Sequence, residues 1–492
     1  MIIGRALCAP GRAPALGPTE IRIANGHIAS IAPADPAALT SANSRLLAMP
    51  APTNAHDHGR GLRTIAFGAN DDILEAWLPA LAREPKSDPY LSAAVAFARM
   101  AEGGICATNH CHGPQDRTRL FEEADAVAQA AKDVGIRVAF AVPFMNRNRG
   151  AYGDIAKLLE LLDTDDRNVF VSGLASPSEV AEMIALTERI ADLENDFFKI
   201  QYGPIGPQWV SDAALKALAK ASAETGRRIH MHLLETQRQR EWADGAYPGG
   251  LVAFLDEIGL LSPRLTVAHG VWLRQHECEL LAKRGVSVAV NLSSNLRLRS
   301  GLPPVQTFRE VGLRCGIGLD ALSLDDDEDM LREVRLAWRL TRGFGDTKGL
   351  RREDIFDAAL VHGRKTVTDD SGGTLSIGAP ADIIVLDLDQ MAGDYVRPDC
   401  DISDLLLTRM AKRHIDRLIV GGRTVVERGC CVSVDLPGLE ARLTAVATEA
   451  RIANPPDDDR IGRMQDAART YYRRGLHKQT GRAERVALDV EK

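Results

Sequence analysis

The sequence predicts an α/β fold of barrel type, with extra β-structure at both chain ends. Three observations carry this. In the middle of the chain, apolar strand-like runs (RVAFAVPF, FFKIQYGP, LTVAHG, VSVAVNLS, CGIGLD) alternate with helical stretches (DAALKALAKASAETG, DEDMLREVRLAWRL). That alternation is the mark of βα units and a parallel sheet. Four apolar runs are followed by side chains able to bind a metal, and in a (β/α)8 barrel the chemistry collects at the C-terminal ends of the strands. Finally, the two chain ends read as strands without intervening helices.

The elements follow in order. Residues 1–50 contain IRIANGHIASIAP, which alternates about Asn25-Gly26, a strong hairpin signal. Residues 51–365 hold the strand–helix alternation. Residues 366–435 return to strands in ADIIVLDLD and HIDRLIVGGRTVVERG. From 436 to 492 the character changes again. LPGLEARLTAVATEARIANPP begins helical and breaks at Asn454-Pro455-Pro456, and DDDRIGRMQDAARTYYRRGLHKQTGR is helical in pattern and basic toward its end. Its plain reading is a solvated helix packed on the barrel or on a second subunit. The alternative is a segment that covers substrate or contacts another subunit.

Composition narrows the class. At 492 residues the chain can bury a large core and form two or three domains. Its net charge of −7 argues against nucleic acid as main partner, because phosphate binding needs a concentrated basic surface. Eight scattered cysteines, with no CxxC pair, read as reduced thiols of a cytoplasmic protein. No apolar run is long enough for a membrane span.

The chemistry-bearing residues start with His56 and His58, in MPAPTNAHDHGRG after the strand-like SRLLAM. Side chains two apart on a strand leave the same face, so both imidazoles are able to meet one ion. Alone, the pair is equally compatible with two surface histidines. Three further segments support it, each an apolar run with a ligand-type residue at its C-terminal end: RRIHMHLLET presents His232 and Glu235, LTVAHG ends at His269, and the run in LRCGIGLDAL ends at Asp320. Histidine and carboxylate ligands with a position open to water suit a catalytic zinc site. The plainer readings are a helix-capping pair for His232 and Glu235, a core histidine for His269, and a solvated acidic turn (Asp325–Asp329 follow) for Asp320.

In chain order, HDH, HLLE, AHG and GLDAL resemble the amidohydrolase superfamily. The resemblance is to the metal-dependent branch that deaminates cytosine, guanine, pterins or S-adenosylhomocysteine, with triazine hydrolases as relatives. LEAWL, NLSSNLRLRSGLPPV and GGTLSIGAPADIIVLD resemble further family motifs, and the resemblance spans roughly residues 1–430. It implies a (β/α)8 barrel with a small β-sandwich built from both chain ends. It also implies one divalent metal, Zn²⁺ or else Fe²⁺, held by His56, His58, His232 and Asp320. Asp320 would also take a proton from the metal-activated water, His269 would hold the resulting hydroxide, and Glu235 would protonate a ring nitrogen beside the attacked carbon. A homo-oligomer, dimer or larger, is the family's habit. Lys199 raises the two-metal variant of the family, which carries a carboxylated lysine; the His-x-x-Glu pattern favours one metal.

Substrate contacts are less specific. Gln208-Trp209 pairs an amide with an indole, suited to reading and stacking on a flat heterocycle. His110 and His112, where the family usually has an Asp-containing stretch, would orient substrate, support a ligand or merely bond within their loop. Arg60 would meet an anionic group or form a structural ion pair. HECEL lacks the second histidine of HExxH, and no P-loop or HxE…PCxxC signature occurs.

The expected function is hydrolytic deamination of an amino-substituted N-heterocycle, a small molecule, with release of ammonia. The alternative is a related hydrolase cleaving a C–Cl, C–N(alkyl), cyclic amide or urea-type bond. A third, non-catalytic scaffold reading conflicts with the retention of every expected ligand.

Overall fold

A computed structural model of the chain describes residues 1–147, 150–172, 179–346, 349–368, 370–397 and 399–478. The last part of the C-terminal extension, 479–492, thus lies outside the described residues. Eight parallel strands form the central sheet: β1 (Thr53–Asp57), β2 (Ala107–Cys111), β3 (Arg137–Phe144), β4 (Phe198–Pro204), β5 (Ile229–Leu233), β6 (Leu265–His269), β7 (Ser287–Val290) and β8 (Arg314–Ile317). Each pairs with its sequence neighbour in parallel register, for instance Val138 with Phe198 and Leu233 with His269. The strands are buried almost throughout and rich in Val, Ile and Ala, as strands covered on both faces must be.

Between the strands lie helices with ordinary termination chemistry. Helix Asp212–Thr225 starts where Ser211 Oγ accepts from Ala214 N and stops at Gly226, whose φ of 74° suits a residue without a Cβ. Helix Met330–Thr341 is capped by Asp329.

The curved sheet meets itself where β8 faces β1. No ladder joins these two strands. The seam is held by Asp320 N donating to His56 O at 3.0 Å and by Asn54 Oδ1 accepting from Leu319 N at 2.9 Å. Gly318 makes the approach possible: a Cβ there would sit 2.3 Å from Asn291 Oδ1 and 2.8 Å from His56 N.

Both chain ends build a second, smaller β-layered unit, as the resemblance implies. In its six-stranded sheet, Ile383–Asp387 runs antiparallel to Leu46–Pro50, with Ile383 opposite Pro50. A three-stranded sheet includes the hairpin Thr19–Ala24/His27–Pro33, turning at Asn25 (φ 51°) and Gly26 (φ 77°). Ile3, Ile21, Ile28, Ala48, Ile383 and Val385 share a core of their own.

One local reading shifts. The HxH pair does not end the SRLLAM strand. That strand stops at Pro50, and the pair lies on the next strand, β1, after Ala51-Pro52. Prolines lack the N–H a ladder needs, so Pro50 and Pro52 divide one apolar run into two strands in two sheets. Among the described residues, no helix is long and apolar enough to cross a membrane.

Closure at the seam generates a prediction. Gly318→Ala should destabilise the protein by about 1–3 kcal/mol, the usual cost of overpacking. Urea unfolding measures this, and a variant as stable as the parent would mean that β8 can retreat from β1 freely.

Candidate active site

The C-terminal strand ends converge on one buried cluster. His56 leaves β1, while His58 follows just beyond its end. His232 leaves β5, His269 ends β6, and Asp320 lies three residues past β8. His269 and Asp320 hold φ of 74° and 59°, a region that non-glycine residues seldom adopt. Such strain at a functional cluster persists only where surrounding structure enforces it. For Asp320 the seam hydrogen bond to His56 O does so.

Each imidazole commits its Nδ1 away from the centre. His58 Nδ1 donates to Cys111 O at 3.0 Å, His232 Nδ1 to Ile205 O at 2.8 Å, and His269 Nδ1 to Asn295 Oδ1 at 3.0 Å. His56 Nδ1 meets His230 Nε2 at 2.7 Å. This leaves the Nε2 atoms for the interior, the outer-partner arrangement that fixes metal-binding histidines. Asp320 Oδ1 lies 3.0 Å from His56 Nε2 and 3.2 Å from His58 Nε2, while Ser294 Oγ donates to Asp320 Oδ2 at 2.6 Å.

Protonation fits the same picture. Burial holds His56 down to about 4, and burial with neighbouring imidazoles holds His232 and His230 well below the usual histidine range. Burial acts to raise Asp320, but the facing His56 and His58 outweigh it and keep the carboxyl well below its ordinary range. His56 and His232, held below the usual histidine range, and Asp320, held below the usual carboxyl range, favour the forms that bind a metal.

A test of the fit lies in His56 Nε2, fully buried and without a hydrogen-bond partner of acceptable geometry. Two overlapping sets, His56/His232/His269 and His56/His58/Asp320, each keep their donor atoms within 4.8 Å of one another. Nitrogen and carboxylate donors in this number suit a divalent cation. A third set is His56/Cys111/His230, but burial raises the Cys111 thiol well above its usual range, so it is a poor thiolate donor.

Across the cavity stands Glu235. Its Oε2 is 3.6 Å from His269 Nε2, and Ser300 Oγ donates to its Oε1 at 3.1 Å. Burial pushes this carboxyl up to about 7, with His269 opposing and Asp320 reinforcing. It is not a helix cap: Thr236, the next residue, caps helix Gln237–Ala246 through Gln239 N.

The cavity measures about 190 Å³ and is bounded by Trp77, His112, Gln208, Trp209, Glu235 and Asp320 among others. Of the expected substrate residues, Arg60, His112, Gln208 and Trp209 line it. His110 does not; it stands behind His112, its Nε2 3.2 Å from His112 Nδ1, and Glu123 grips His112 Nε2 at 2.7 Å. Arg60 pairs with Glu84 at 2.7 Å. Gln208 Nε2 is buried without a partner, while Trp209 Nε1 is already spent on Ala151 O. Lys199 lines a separate groove of about 840 Å³ at the opposite end of the strands, with none of the clustered histidines in its lining.

Sequence reasoning did not single out His230, Ser294, Asn295, Ser300 or Gln239. His230 stands two before His232 on β5, so the same alternation that relates His56 to His58 puts it on the inner face. The two serines and Asn295 lie within NLSSNLRLRSG, quoted above only as a motif. Gln239, which accepts from Glu235 N at 2.8 Å, carries no sequence signal.

Comparison with known proteins adds to this geometry. The model of the amidohydrolase family matches residues 47–425. The 5′-deoxyadenosine deaminase of Methanothermobacter thermautotrophicus is 26% identical over 431 residues, spanning 86% of this chain and 91% of that protein. The 5-methylthioadenosine/S-adenosylhomocysteine deaminase of Moorella thermoacetica is 27% identical over 407 residues, spanning 81% of this chain and 86% of that protein. Among solved structures, a zinc-bound adenosine deaminase from Xanthomonas campestris superposes with a TM-score of 0.74 at 22% identity, covering 92% of this chain and 98% of that one. Atrazine chlorohydrolase from Arthrobacter aurescens, complexed with zinc, gives 0.73 at 21% identity, covering 90% and 98%. At these identities the structural likeness speaks for the fold.

The donor set predicts that the protein is isolated with a divalent metal. Chelation should lower its melting temperature and added Zn²⁺ should restore it, since a ligand of the native state stabilises by mass action. Elemental analysis that finds no metal, together with a chelator-independent melting curve, would sink this reading of the cluster.

Proposed function

The chain belongs to the amidohydrolase family, and on that footing we propose that it deaminates an amino-substituted purine nucleoside or related N-heterocycle, releasing ammonia. One observation carries the reading: a buried carboxyl, Glu235, kept protonatable near neutral pH and facing an ionised Asp320 across one small cavity. Two carboxyls whose surroundings drive their pKa values apart divide into acid and base. The deaminase names of the relatives agree with it.

His56, His58, His232 and Asp320 would hold one divalent ion, zinc by the nature of the donors. Such an ion supplies Lewis acidity, bringing water within reach of deprotonation near neutral pH. The remaining work falls to the protein. Asp320, with Oδ2 steadied by Ser294, accepts the proton that the attacking water loses. His269, oriented by Asn295, turns Nε2 inward to hold that water's oxygen against the substrate. Glu235 gives its proton to a ring nitrogen next to the attacked carbon, which makes that carbon electrophilic. The exocyclic amine then takes the proton held by Asp320 and leaves as ammonia, and loss of the adduct's hydroxyl proton to Glu235 restores the acid.

Trp209 and Trp77 offer faces for a flat ring, and the unpartnered Gln208 Nε2 offers a donor to a ring nitrogen or oxygen. His112 is a wall of the pocket rather than a free polar contact, because both its nitrogens are engaged. Arg60 is offset by Glu84, which favours a neutral substrate edge there over a lone anion. Chloride or alkylamine displacement from a triazine is the second reading, kept because the zinc-bound atrazine chlorohydrolase shares the fold; Glu235 favours amine loss from a ring that must first be protonated. We further infer a cytoplasmic homo-oligomer. Eight free cysteines support the compartment, and light scattering on the purified chain tests the assembly.

Ammonia release from adenosine, 5′-deoxyadenosine, aminopyrimidines and aminotriazines tests the function, with chloride and alkylamine release as the competing readouts. Glu235→Gln and Asp320→Asn should each fold normally and lose about 10²–10⁴-fold in turnover. Glu235 donates only while protonated. Activity should therefore hold below about pH 7 and decline as pH rises through it, and no such limb should remain in the residual activity of Glu235→Gln.

A further inference from the structure

Helix Asp458–Arg473, in the C-terminal extension, packs against the outer side of a helix that lines the cavity. Gln465 Nε2 donates at 3.0 Å to Ala76 O in helix Leu74–Ala80, which carries the lining residues Leu74 and Trp77. The same helix pairs Arg469 with Asp72, just before that wall helix.

At its last turn two adjacent tyrosines, both buried, grip one residue. Tyr472 Oη accepts from Tyr152 N at 3.1 Å. Tyr471 Oη donates to Tyr152 O at 2.8 Å and lies 3.1 Å from Asp154 O. Tyr152 is itself fully buried. Its ring lies 5.7 Å from that of Trp209, and its hydroxyl accepts from Gln239 Nε2 at 3.3 Å. Gln239 Oε1 in turn accepts from Glu235 N at 2.8 Å. Direct contacts therefore run without a gap from the C-terminal helix through Tyr152 and Gln239 to the backbone of Glu235, and sideways to Trp209.

We propose that Tyr471 and Tyr472 are positioning residues for the reaction, fixing Tyr152 so that it sets the place of Glu235 and of the Trp209 ring. The inference rests on the reading of Glu235 as the acid. The physical case is that proton transfer to a bound ring tolerates little displacement of the donor. Loop residue 152 has its N–H and C=O satisfied by two hydroxyls from more than 300 residues away. Without them two buried backbone groups lose their partners, and the loop must move to find others.

The test is the full-length, metal-replete double variant Tyr471→Phe/Tyr472→Phe, which keeps both rings and removes both hydroxyls. Arg473→Ala, an exposed position of the same helix, serves as control. With adenosine as probe, kcat should fall between about tenfold and a hundredfold and the alkaline limb should shift, with metal content retained. The control should match the parent. If kcat, KM and the pH profile equal the parent's at a temperature where both proteins are folded, the proposal is overturned, even if the double variant melts earlier, because the helix then only staples the barrel. If the parent turns over no probe, the functional reading fails separately. The emission of Trp209, taken as the difference between each protein and its Trp209→Phe counterpart, then decides: a red shift in the double variant supports the buttress, and an unmoved spectrum overturns it.

Discussion

The seam where β8 meets β1 is the constraint on which the rest depends. A parallel sheet that curves through eight strands must meet its own first edge, and here it does so through the backbone bond from Asp320 to His56. That bond brings a carboxylate against two imidazoles at the point where the barrel closes. It also holds Asp320 in a left-handed conformation and needs Gly318 without a side chain. Fold closure and the assembly of the cluster are thus one event.

Electrostatics follow from that closure. A buried carboxylate is costly unless a positive charge or hydrogen bonds compensate. The outer partners Cys111 O, Ile205 O, Asn295 and His230 fix the rings but leave the buried His56 Nε2 without a hydrogen-bond partner. A divalent cation resolves this imbalance. Glu235 experiences the same burial with only His269 as a facing imidazole, so desolvation wins and the carboxyl is raised to about 7. One cavity therefore shifts two carboxyls that line it in opposite directions.

Much of this was legible in the sequence because each feature rests on local periodicity. Strand alternation drew attention to His56 with His58, although His58 stands just past β1; apolar runs pointed to His232, His269 and Asp320, of which His269 alone ends its strand and Asp320 lies three residues beyond; and Asn25-Gly26 marked its hairpin. The parts that were not legible arise from contacts distant in sequence. Pro50 and Pro52 split one apolar run between two sheets, which periodicity alone cannot reveal. His110 and His112 look alike in the sequence, yet only His112 reaches the cavity: His110 lies within β2, whereas His112 stands just past its end at Cys111 and is held there by Glu123. Arg60 has its partner, Glu84, on another segment.

By itself the sequence determined the α/β alternation, the β-structure at both ends and the identity of the metal-competent side chains, since these follow from short-range pattern and side-chain chemistry. Tertiary structure alone decided which of those side chains face one another and how far burial moves their protons. It also decided that Tyr471 and Tyr472, on the last described helix, lie against the loop behind Glu235. The physical reason is that desolvation and mutual orientation are properties of packed space, and no stretch of chain carries them before the barrel closes.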